Sequence, residues 1–127
     1  MNLTWQFQAA VEGGPSVTIN QPNLPISGYD VVTVTVPGST SSFPVLVQPS
    51  SGSGDVILMV ITADKYDTPL SFTVDAIATS HVLDGPHVLL GGGAVSLLNS
   101  AASPQKLIFK NTGTNDIEIQ ILAGRKA

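Results

Sequence analysis

The 127 residues fall in the size range of one domain, taken here as 1–127, and the charged share of 11% is less than half the ~25% of an ordinary soluble domain. Net charge is −4, with Arg125 and Lys126 at the C-terminus and only Lys65, Lys106 and Lys110 left for the body, so no basic footprint for nucleic acid is present. The absence of cysteine excludes disulfides, thiolate nucleophiles and cysteine-bound metals.

The first strand is expected over Thr4–Ala10, with Trp5 and Phe7 on one face, and the second over Ser16–Asn20 beyond the turn EGGP. MNLTWQFQAA has neither a basic nor an apolar leader region, so the chain reads as soluble and made without an export signal, in virion or cytoplasm. YDVVTVTV (29–36) alternates, placing Val32, Val34 and Val36 inward and Thr33 and Thr35 outward. A strand over Phe43–Gln48 follows. DVILMVIT (55–62) is apolar without alternation and reads as a strand buried on both faces. Its unbroken apolar run, Val56–Ile61, has six residues, against the ~20 that a membrane-spanning helix needs.

Further strands are expected over Leu70–Ala76, Ser80–Leu83, His87–Leu90 and Lys106–Lys110. AVSLLNSAA (94–102) is the one candidate helix, about two turns long. NDIEIQIL (115–122) turns Ile117, Ile119 and Ile121 inward, and the Gly113 loop suggests a hairpin with the preceding strand, bringing Lys106 and Lys110 near Glu118. Asp30, Asp55 and Asp116 each open a strand and read as turn residues that bond backbone amides. Many short strands separated by glycine and proline define an all-β fold: an antiparallel β-sandwich, jelly-roll-like, with at most one short helix.

HVLDGPHVLLGGGAV (81–95) holds both histidines of the chain. His81, Asp84 and His87 are metal-ligand types at three-residue spacing, and without cysteine a site here would take water as its fourth ligand. Asp84-Gly85, however, is a two-residue hairpin signal. Read as the turn, it sets Val82 against His87 and His81 against Val88, so the imidazoles project from opposite faces. Pro86 lacks an amide proton, and a wider loop would let the three side chains converge. Gly91–Gly93 has no Lys-Ser/Thr after it and reads as a bend or a close backbone approach, not a phosphate loop.

Sugar binding relies on exposed aromatics with polar neighbours. Tyr66, between Asp64 and Asp67 in TADKYDTP, is the best such candidate, and the loop Ser50–Gly54 is the other in the same reading. Trp5 and Phe7 fit a core or a subunit interface better.

Few charges and a mean hydropathy of +0.29 leave more apolar surface than one sandwich core uses. The leading expectation is a non-catalytic structural subunit of a virion, phage or similar particle, forming a homo-oligomer for which a trimer is one form. The alternative is a carbohydrate-binding or adhesin-type module centred on Tyr66, Asp64 and Asp67. A weaker alternative is a metal-dependent enzyme using His81, Asp84 and His87. No cofactor is called for.

Overall fold

Period-two patterning becomes strands along most of the chain. The computed structural model describes residues 1–49, 54–66 and 69–126. These form β1 (Asn2–Ala10), β2 (Ser16–Val36), β3 (Thr40–Leu46), β4 (Val56–Ala63), β5 (Leu70–Val74), β6 (His81–Val82), β7 (His87–Leu90), the single-turn helix α1 (Gly92–Val95), β8 (Lys106–Asn111) and β9 (Ile117–Lys126). Two antiparallel sheets result, ordered β1-β2-β9-β4-β7 and β3-β8-β5-β6. Leaving β1 aside, first strand pairs with last throughout: β2 with β9, β3 with β8, β4 with β7, β5 with β6. Successive pairs alternate between the sheets. This is a long hairpin rolled up on itself, the eight-stranded jelly roll, with β1 added at one edge.

The inner faces follow from the alternation. Val36, Met59, Ile61, Ile117, Ile119 and Ile121 come from the larger sheet and Val45, Leu70, Phe72, Val74, Leu107 and Phe109 from the smaller, all buried in one cluster. Val32 and Val34 are half-buried against it. β4 is buried or half-buried along its whole length, as its uninterrupted apolar run implied.

Pairing departs from the sequence reading at both expected hairpins. β8 pairs with β3 and β5, and β9 with β2 and β4, so these neighbours face each other across the core. Lys106 and Lys110 therefore sit on a different sheet from Glu118. The intervening loop bridges the sheets because buried Asn111 holds it: its Nδ2 donates to the carbonyls of Asn115 (2.8 Å) and Pro37 (3.3 Å), and its Oδ1 accepts from the Gly113 amide (3.0 Å). Across this loop Gly38 lies so near that a Cβ there would stand 2.3 Å from the Thr114 carbonyl oxygen. At the second, Asp84-Gly85, β6 and β7 likewise lie in different sheets.

β2 runs 21 residues where two strands were expected, because it changes partner midway. Residues from Ser16 to Pro25 pair with β1, and residues from Ile26 to Val36 with β9. The helix starts earlier and stops sooner than AVSLLNSAA suggested. Gly91 precedes it at φ +98°, a conformation that favours glycine, and its carbonyl accepts the Val95 amide at 3.1 Å. Asn99 Oδ1 then accepts the amides of Ala101 (3.0 Å) and Ala102 (3.2 Å), a side-chain turn that competes with further helix.

Two of the three strand-opening aspartates, Asp30 and Asp116, are used over longer range than a local turn. Asp116 Oδ1 accepts the amide of Gly38, 78 residues away in sequence. Asp30 forms an ion pair with Arg125, their side chains only 8% and 13% exposed. Arg125 thus belongs to the body of the sandwich and not to a solvated tail. Among the described residues no helix is long and apolar enough to cross a membrane.

Candidate assembly surface

The β1–β2 hairpin pairs Phe7 with Ile19 and Ala9 with Val17 on one face, and Gln6 with Asn20, Gln8 with Thr18 and Ala10 with Ser16 on the other. Alternation has made it amphipathic. Yet every residue from Gln6 to Asn20 is exposed, including Phe7 (45%), Val17 (54%) and Ile19 (50%). A two-stranded hairpin is marginal in water by itself, and this one presents an apolar face with nothing from its own chain fully over it.

The outer face of the larger sheet is apolar at one end. One cross-strand row reads Tyr29, Gly124, Leu58, Leu90, and the next Val31, Leu122, Val60, Val88. The row after that, Thr33, Gln120, Thr62, is polar. Leu3, Trp5 and Phe7 of β1 lie over the middle of the two apolar rows, which leaves Leu58 only 1% exposed although it points away from the core. The fit is loose: a cavity of about 230 Å³ remains between β1 and Leu58, Val60, Val88, Leu90 and Leu122. The row ends stay in water, with Tyr29 52%, Val31 53% and Val88 45% exposed.

The other candidate residues are placed differently from the sequence reading. Tyr66 is half-buried against the core, and its hydroxyl accepts the Ala63 amide at 2.9 Å where β4 ends. It closes a turn and does not stand out as a stacking platform. Asp64 is exposed, but its Oδ1 accepts the Glu118 amide at 3.0 Å and its own amide donates to the Glu118 carbonyl at 3.0 Å, which extends the β4–β9 ladder by one residue. Asp67 lies outside the described residues, as do Ser50 to Ser53 of the other candidate loop.

His81 and His87 are not partners across a hairpin. β6 pairs with β5, setting His81 opposite Phe72, while β7 pairs with β4, setting His87 opposite Ile61. Buried Leu83, whose amide donates to the Leu70 carbonyl at 2.8 Å, keeps the chain on the smaller sheet up to Asp84-Gly85, which then carries it to the other sheet. Both imidazoles consequently turn toward the same inner ring: the centroids of His81 and His87 lie 5.3 Å and 5.6 Å from that of Phe72. The expected projection to opposite faces is overturned. Asp84 is exposed on the crossing. Among the described residues no three His, Asp or Glu side chains come together to hold a metal, so His81, Asp84 and His87 do not assemble into the three-ligand group their spacing suggested.

The parity of Trp5 and Phe7 could be read from the sequence, and so could that of Val17 and Ile19. Their exposure could not, because it depends on whether a third strand or a neighbouring layer covers the hairpin. Comparison of the chain with protein-family models, with curated proteins and with solved structures gives no match. The fold defines an all-β jelly-roll sandwich with a loosely seated N-terminal hairpin.

Proposed function

We propose that this chain is a non-catalytic structural subunit that builds a particle, such as a virion or phage component, by self-association. The fold alone selects no activity, since one architecture hosts many unrelated functions. The observation that carries the reading is the amphipathic β1–β2 hairpin, whose apolar face stays half exposed at Phe7, Val17 and Ile19. Exposed apolar surface of this kind marks a partner site, and the near absence of charge around it lets neutral surfaces approach.

Light scattering on the full chain tests this. An oligomer is expected for the wild type, and Ile19→Asp, which places a charge on the apolar face, is expected to dissociate it while the protomer stays folded by circular dichroism. A wild type that scatters as a monomer at micromolar concentration refutes the proposal.

A further inference from the structure

Packed interiors leave few voids larger than a water molecule, yet about 230 Å³ stays open between β1 and the outer face of the larger sheet. The floor belongs to paired strands: Leu58 and Val60 on β4, Leu122 on β9, and Val88 and Leu90 on β7. The roof is Leu3, Trp5 and Phe7. Alternation gives these three one face of β1, while Thr4 and Gln6, the two polar residues at the cavity, are exposed. Among the described residues no charged side chain lines the space.

Water suits such a space poorly, because a buried water needs about 2–4 polar partners and the floor's backbone is committed to the β9-β4-β7 ladder. An apolar cavity of about 150 Å³ stays dry and takes up benzene. Scaled to this volume, the occupant is one six-membered ring with a few further atoms, roughly 8–10 non-hydrogen atoms in all. A charge on it would be buried without a partner. A planar ring also suits the roof, where it stacks on the indole of Trp5. Phe7 of the roof and Val88 of the floor are each 45% exposed, so the cavity opens to water at that end. The roof is one strand of a hairpin exposed from Gln6 to Asn20, which can rise to admit a ligand without disturbing the core.

We infer that this cavity is a binding site for a compact, neutral, hydrocarbon-like ligand the size of a substituted benzene, held between Trp5 and the outer face of β4, β7 and β9. The site lies within one protomer and does not rest on self-association.

Trp5 is the only tryptophan of the chain, so its fluorescence reads the cavity directly. Bromobenzene, a neutral heavy-atom quencher, is titrated into the full chain beside the anion para-bromobenzoate. Saturable quenching is expected from bromobenzene and only linear, collisional quenching from the anion. Val60→Phe with Val88→Phe fills the floor and is expected to weaken bromobenzene at least ~10-fold. Ile19→Asp, outside the lining, is expected to behave as the wild type. As a second measurement, toluene added to the methyl-labelled chain is expected to shift the methyl resonances of Leu58, Val60, Leu90 and Leu122 and to leave those of Ile117 and Ile119 in the core unmoved. Linear quenching by both compounds, equal saturation by both, or a folded filled variant that binds as the wild type overturns the assignment. So does toluene that leaves the lining methyls unmoved. Saturation lost in Ile19→Asp would place the ligand between copies and overturn it as well. If the filled variant is unfolded by circular dichroism, the toluene map decides.

Discussion

Replacing Arg125 by Met removes the guanidinium that faces Asp30. The two side chains are 13% and 8% exposed, so the pair lies largely out of water, where an ionised carboxylate is poorly solvated. Removing one member of a buried pair costs about 3–5 kcal/mol, several times the ~0–1 kcal/mol of an exposed pair. For a chain of this length that is a fall in melting temperature of roughly 10–20 °C, at about 4 °C per kcal/mol. Replacing both partners, Asp30→Leu with Arg125→Met, takes the charge out altogether and is expected to recover most of the loss. Urea titration of the wild type, the two single variants and the double variant gives the coupling energy directly. The single-variant loss is expected to persist from ~0.1 M to ~1 M salt, because a buried pair is little screened. A loss below ~1 kcal/mol that fades with salt would show the pair to be in water, and with it the placement of the C-terminal strand against β2 would fail.

Other positions give independent checks. Gly38→Ala drives a Cβ into the rigid Thr114 carbonyl 2.3 Å away and is expected to cost about 1–3 kcal/mol by chemical denaturation, as overpacking does. Asn111→Leu deprives the Pro37 and Asn115 carbonyls and the Gly113 amide of their shared partner; a loss of at least ~2 kcal/mol is expected, with faster hydrogen exchange in residues 112–116. Ile119→Asp buries a charge at a site with 0% exposure, a change expected to abolish the cooperative thermal transition.

Much of the architecture can be read from residue alternation, and the pairing cannot. Ile117, Ile119 and Ile121 announce an inward face through period two, and the structure buries all three. Alternation says which way a side chain points, not which strand lies beside it. Asp84-Gly85 is compatible with a tight hairpin and with a crossing between sheets. The choice is made by the hydrogen bond from Leu83 to Leu70 and the burial of Leu83, a contact between segments that no local pattern encodes. The histidines move with that choice, from opposite faces to a shared neighbour in Phe72. The loop after Lys110 is the same case: Gly113 permits a hairpin, but Asn111 reaching Pro37 makes it a bridge between the sheets. Tyr66 appeared exposed because its segment is polar, and its hydroxyl proves to be engaged by the Ala63 amide. Arg125, two positions before Ala127, reads as solvated from the sequence, but the length of β9 brings it beside Asp30.

The most direct test of self-association through the hairpin is sedimentation equilibrium of the full chain from about 1 to about 100 μM, beside Ile19→Asp at the same concentrations. The account predicts a wild-type mass that is a whole multiple of 13.1 kDa, and a variant that sediments as a folded protomer. A wild type at 13.1 kDa across the range, or a variant that assembles as well as the wild type, contradicts it.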